Sequence, residues 1–137
     1  MYFDISSIEK SKYDKKLILP NSLTTDLAED IGIMVGDGGI GNYVSKHKNT
    51  NVIRVHGSII NDLPYYLNVL VPLKKKLFNI DFKIYKWKQD ELCLSKCSQG
   101  LLNFYTKIIG LRNGNKINQK IPTCILKAKE DLKFSFL

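Results

Sequence analysis

Cysteine and histidine are scarce in this chain of 137 residues, which holds three Cys and two His. The odd count of Cys93, Cys97 and Cys124 argues against a disulfide framework, and no pair has metal-site spacing. Neither His47 nor His56 sits in a zinc motif, and a Ser-His-Asp mechanism has little to work with. Acid is also short: Asp plus Glu number 13 against 21 Lys plus Arg, a formal charge of +8 with a pI near 9.4. That imbalance favours a polyanionic partner, nucleic acid ahead of a membrane surface. The first residues lack the apolar run of a signal peptide. No segment approaches the roughly 20 apolar residues of a membrane span. The expectation is an intracellular protein, cytoplasmic or organellar, with no membrane partner.

What is present fits a folded domain. Hydrophobic residues make up 44% and aromatics 10%, enough for one domain with a real core and too little length for two. Residues 1–23 read as a polar, lysine-bearing lead-in with one apolar run, Leu17-Ile18-Leu19, closed by Pro20. The remainder, 24–137, forms the domain proper.

The segment from Asp26 to Gly39 predicts a short helix, about 26–37, with Asp26 as cap, Glu29 completing a capping box, and Gly38 and Gly39 as its left-handed stop. Inside it, Ala28, Gly32 and Gly36 recur every four residues along one face. Each glycine costs roughly 1 kcal/mol relative to alanine, and close approach of a second helix would offset that cost. Such contact would carry Asp37 to the foot of the helix pair. If the partner helix is a copy or pseudo-copy, two carboxylates meet there and suit a divalent metal.

Downstream, two hairpins are predicted, about 40–46 with 51–57 and about 81–88 with 91–96, alternating with helices near 63–78 and 98–109. Asp62 caps the first of these helices, Pro72 kinks it, and Lys74-Lys75-Lys76 reads as its solvated end. Gly110 stops the second, and another helical stretch follows Ile121-Pro122. The economical packing is α+β: one four-stranded antiparallel sheet with helices on one face. Alternation then turns Ile40, Val44, Ile53, Val55, Phe82, Ile84, Leu92 and Leu94 inward. It turns Tyr43, Ser45, His47, Val52, Arg54, His56, Lys83, Tyr85, Trp87, Glu91, Cys93 and Ser95 outward, a polar, basic and aromatic face.

The helix from Ile31 to Gly38 resembles the signature helix of the LAGLIDADG homing endonucleases. Val55-His56-Gly57, Asp62-Leu63-Pro64-Tyr65-Tyr66, Lys76-Leu77-Phe78, Glu91-Leu92-Cys93-Leu94-Ser95, Gly110-Leu111, Gly114-Asn115-Lys116 and Ile121-Pro122 are similar to successive landmarks of that family. The resemblance spans about residues 24–137. It implies an αββαββα half-domain whose saddle-shaped sheet binds double-stranded DNA through Tyr43, Ser45, His47, Arg54, His56, Lys83, Tyr85 and Trp87. It further implies site-specific phosphodiester hydrolysis with Mg²⁺ or Mn²⁺, where Asp37 serves as metal ligand and catalytic residue and Lys116 as the basic catalytic residue. Asn61 and Asp62 lie near where the family places polar groups around its metal ligands, though Asp62 reads more readily as a helix cap.

The family cuts with two such halves, and this chain carries one signature. Its tail, residues 129–137, reads like the run-in to a second signature helix without its acidic end. A homodimer, or a pairing with a second LAGLIDADG half-domain, is therefore expected. The alternative is a non-catalytic DNA-binding regulator or intron RNA maturase derived from the family, or a truncated remnant.

Overall fold

The computed structural model describes residues 2–136 apart from Tyr13, 46–47, 87–88, 115–120 and Lys129; for residues 42–45, 48–50, 131 and 132 it describes the backbone alone. Helix α1 (Thr25–Asp37) runs directly into β1 (Gly38–Ser45), which pairs with β2 (Lys48–Ser58). Helices α2 (Ile59–Tyr65) and α3 (Val71–Phe78) follow, then β3 (Lys83–Lys86) and β4 (Glu91–Cys97). Next come α4 (Gln99–Asn103), the short α5 (Thr123–Leu126) and α6 (Glu130–Phe136). The sheet is antiparallel with order β1-β2-β4-β3, so the two hairpins join through β2 and β4.

The core lies between the sheet and the helices on one of its faces. Leu27, Ile31 and Met34 of α1 meet Ile53 and Val55 of β2, Leu94 of β4 and Leu101 of α4, all buried. The inward set expected from alternation is largely the observed one. Val52 and Cys93, expected to face out, are buried instead. Cys93 lies on an inner strand between His56 and Tyr85 in the register, where larger neighbours shield a small side chain.

Helix ends follow local chemistry. The expected break at Pro72 takes the form of a π-helical turn, Tyr66–Leu70, between α2 and α3. Proline has no N–H to give the carbonyl four residues back, and its ring collides with that carbonyl; a wider turn relieves both. A second π-helical turn, Phe104–Ile109, continues α4. Within it the Thr106 hydroxyl donates to the Leu102 carbonyl at 2.9 Å, a competing bond of the kind that bends helices. Gly110 then stops the chain at φ 90°, the left-handed conformation glycine adopts without steric cost.

The lysine run at the end of α3 departs from expectation. Lys74 is fully buried, not solvated, and its ammonium lies 2.6 Å from Oδ1 of Asp30, itself fully buried on α1. The Tyr105 hydroxyl donates to the other oxygen of Asp30 and accepts from Lys74 at 2.7 Å. The ammonium also lies 5.2 Å from the ring centroids of Phe82 and Tyr105, within cation–π range. Burial pulls the Lys74 pKa down while Asp30 opposes it. Burial, reinforced by Asp30, drives the Tyr105 phenol well above its usual range. In sequence, Lys74 occupies an i, i+4 row with Leu70 and Phe78, both fully buried, and that row was the available sign.

The lead-in is folded onto the domain. Leu17, Leu19 and Ile8 join the core, and the Ile18 amide donates to the Phe78 carbonyl at 3.0 Å. Asp14, buried, accepts from the Ser98 hydroxyl at 2.6 Å and from the Gly100 amide at 3.0 Å. A side chain at position 100 would have its Cβ 2.6 Å from Leu17, so the lead-in approaches closely because that residue is glycine. Burial alone would raise the Asp14 pKa, yet the bonds from Ser98, Ser11 and Gly100 hold it below the usual carboxylate range.

Lys74→Ala strands a buried carboxylate and should cost about 3–5 kcal/mol in urea unfolding. Lys76→Ala, which removes an exposed pair with Asp26, should cost at most about 1 kcal/mol. The depressed pKa of Asp14 means that its contribution is complete above the unfolded carboxylate value, about 3.9, and is lost as pH falls through the lower folded value. Amide protection at Ile18 and Gly100 should fall in that acid window, and Asp14→Ala should show the loss at neutral pH.

Candidate active site

The capping chemistry of α1 differs from expectation at both ends. Thr24, not Asp26, is the cap, its hydroxyl accepting from the Leu27 amide at 3.2 Å. Asp26 is left free to pair with Lys76 at 2.6 Å. At the other end Gly38 is extended, with φ −81° and ψ 159°, so no left-handed stop is used. Glycine is needed there for space, since a Cβ would lie 2.7 Å from Met34. Asp37 is thus the last residue of α1, held at the junction of helix and strand.

The small-residue face of α1 is partly occupied. Ala28 is fully buried. A Cβ at Gly32 would collide with the Phe136 carbonyl oxygen, so α6 of this same chain lies directly on the helix backbone there. Gly36 is exposed, with nothing within 4 Å of where its Cβ would stand.

Beside this helix pair opens a cleft of about 460 Å³ lined by Glu29, Gly32, Ile33, Asp37, Tyr65, Ser135 and Phe136. Glu29 accepts a hydrogen bond from the Tyr65 hydroxyl at 3.0 Å. Burial, then that bond and the Glu29 charge, push the Tyr65 phenol up to about 12. The neighbouring Tyr66 is buried, its hydroxyl without a hydrogen-bond partner among the described residues. Burial raises its pKa, and the negative charges of Asp37 and Asp62 add to the rise. Both phenols therefore stay protonated at neutral pH. No hydrogen bond or ion pair among the described residues takes up the exposed Asp37 carboxylate.

Among the described residues no group of three His, Cys, Asp or Glu side chains is placed to hold a metal ion. As donor chemistry Asp37 offers a single exposed carboxylate at a helix end, short of the set of oxygen ligands a divalent ion takes. Asp62 accepts from the Ser58 amide at 2.7 Å, a helix-capping bond, while Ser58 is the N-cap itself. Lys116 lies outside the described residues. The loop leading to it docks on β1, where the Gly114 amide donates to the Ile40 carbonyl at 2.7 Å.

The outer face of the sheet brings together the residues expected there on β2, β3 and β4. Register aligns Arg54, Ser95 and Lys83 in one row, and His56, Cys93 and Tyr85 in the next. Lys83 and Tyr85 are exposed, Arg54 and His56 partly so. A bond to the Cys93 thiol, with burial, pushes the Tyr85 phenol up, against the Arg54 charge and the Ser95 hydroxyl. A cleft of about 300 Å³ lies along Asp81, Lys83, Tyr85, Ser95, Lys96 and Cys97. Tyr43 and Ser45 lie in β1, paired with Thr50 and Lys48, with only their backbone described. His47 and Trp87 fall outside the described residues.

Sequence reasoning missed Tyr65, Glu29 and Ser135 as lining residues. Glu29 and Asp37 are eight positions apart on one helix, close enough in direction to share a cleft, and that spacing was the legible signal.

No family model and no curated protein matches this sequence. Among solved structures the chain is similar to I-DmoI, a LAGLIDADG homing endonuclease, in complex with its target DNA nicked in one strand in the presence of manganese. Identity is 17% and the TM-score 0.56, over 85% of this chain and 59% of that one. At this identity the likeness is one of fold: a four-stranded antiparallel sheet with helices on one face, the LAGLIDADG half-domain arrangement. The chain spans about three fifths of the length of that enzyme.

The two glycines of α1 should respond oppositely to substitution. Gly32→Ala must displace α6 and should lower stability by about 1–3 kcal/mol. Gly36→Ala should raise it by about 0.5–1 kcal/mol, both read from urea midpoints at constant slope.

Proposed function

We propose that this chain is one half of a site-specific DNA endonuclease that hydrolyses phosphodiester bonds with a divalent metal, Mg²⁺ or Mn²⁺, and acts with a second half-domain. The observation that carries this reading is the placement of Asp37: an exposed carboxylate, unpaired among the described residues, at the foot of a close helix pair. The likeness in fold to an endonuclease bound to DNA with manganese supports it.

In this reading Asp37 is the ligand this chain contributes to a shared ion. When bound, such an ion supplies charge neutralisation at the phosphate and an acidified water. Tyr66, kept protonated by burial, sits within the field of Asp37. Arg54 and Lys83 offer positive charge for the DNA backbone or base edges. Lys116, which lies outside the described residues, is proposed as the basic residue near the cut.

The position of α6 bears on the partner. With Phe136 on Gly32, a second copy would have to displace α6 to use that notch. A second half-domain that leaves α6 in place therefore fits better than a homodimer built through Gly32. The incomplete metal set among the described residues favours a second reading for the isolated chain, a DNA binder without cleavage.

Purified protein with Mg²⁺ or Mn²⁺, presented with a library of duplex sequences, should nick DNA at a preferred site. Asp37→Asn should lower that activity by at least about 100-fold while binding stays within a few fold. Binding by the wild type without nicking in either metal would leave the binder reading.

A further inference from the structure

The lead-in carries a surface that the sheet-centred reading does not use. Its turn, residues 10–19, is pinned on the inner side by Asp14, Leu17 and Leu19. The Asn79 amide adds a bond to the Lys16 carbonyl at 2.9 Å, and Lys10 donates to the Leu17 carbonyl at 3.2 Å. Held in this way, the turn presents Lys12, Lys15 and Lys16 outward, all exposed. With Lys75 of α3 and Lys96 of β4 they line a cleft of about 290 Å³. Its two carboxylates are Asp14 and Asp81; five lysines less two carboxylates leave three positive charges. Asp14 accepts four hydrogen bonds, two from Ser11 of the lead-in and two from Ser98 and Gly100 of the domain, and Asp81 lies 3.5 Å from Lys75.

This cleft adjoins the outer-face cleft of the sheet, since Asp81 and Lys96 line both. Basic surface is thus continuous from Lys83 on β3, past Lys96 at the end of β4, to the lysines of the lead-in. We propose that the lead-in cleft is a phosphate-binding extension of the sheet, taking the backbone of duplex DNA that runs beyond the strands. Lysine ammonium groups are compact point charges without the fork that reads base edges. They position a phosphate chain and carry no sequence information. An acidic peptide would satisfy the same charges, but the cleft adjoins the outer-face cleft at Asp81 and Lys96, and a duplex crossing that face reaches it without a second partner. The inference rests on the DNA-binding reading and adds to it a segment, 10–19, that lies outside the expected domain.

The test requires no knowledge of the target site, because phosphate contacts are sequence-independent. Affinity for a fluorescent random-sequence duplex is measured by anisotropy across about 50–200 mM salt for the wild-type chain, for Lys12→Gln/Lys15→Gln/Lys16→Gln, and for Arg54→Gln/Lys83→Gln. Loss of three phosphate contacts should make the log–log salt slope shallower by about 2.7, so that the fall in affinity over that range shrinks by about 40-fold. In the wild type, duplex DNA should also protect Lys15 and Lys16 from acetylation, a readout that needs no variant. A wild-type protein that binds duplex through Arg54 and Lys83, with an unchanged slope in the lysine variant and no protection, overturns this inference alone. Failure of the wild type to bind duplex at low salt overturns both readings.

Discussion

The buried contact among Asp30, Lys74 and Tyr105 fixes how the helices sit. It joins α1, α3 and the π-helical turn after α4 at one fully enclosed point. A charge pair with no access to water is expensive unless each partner is satisfied. Here Lys74 has a carboxylate, a phenol and three aromatic rings, while one oxygen of Asp30 accepts from Tyr105 and the other is ion-paired with the ammonium. That mutual satisfaction sets the rotation of α1 about its own axis. Position 32 is two residues on, about 200° around the helix, so Gly32 is turned to the far side. There α6 can press against it.

That rotation links core energetics to the candidate site. With Asp30 facing in and Gly32 facing α6, Glu29 and Asp37 border a cleft between the helix pair and Tyr65. The metal chemistry proposed for Asp37 thus depends on a neighbour that has no chemical part in it. A hydrophobic replacement of the ion pair could pack as well, but it would lack a directional reason to choose one rotation. The same helix is clamped on two sides, by an ion pair and by a close backbone approach. Gly36 and Asp37, at its end, remain accessible.

The sheet divides its two faces unequally. One meets the helices and is apolar; the other carries Arg54, Lys83, His56 and Tyr85 with Cys93 sheltered between them. Its edge continues into the lysines of the lead-in. The lead-in owes its place to a buried aspartate and to the lack of a side chain at Gly100. An apolar anchor and a basic outer surface are therefore joined in one short segment.

The sequence alone determined the order of elements, the hairpins, the inward faces of β2 and β4, the stop at Gly110, and the closeness of a second helix to α1. Each follows from local rules: period-two alternation, glycine conformation, and the four-residue repeat of small side chains. Only the tertiary structure decided which lysine of 74–76 is buried, that Thr24 and not Asp26 caps α1, that Cys93 is shielded, and that α6 of this same chain occupies the Gly32 notch. The Thr24 cap is itself a local bond three residues long, but Asp26 is drawn away from that role by the distant Lys76. The other three likewise depend on which group from a distant part of the chain arrives to take a hydrogen bond, a charge or a volume, and periodicity along one segment carries no information about that arrival.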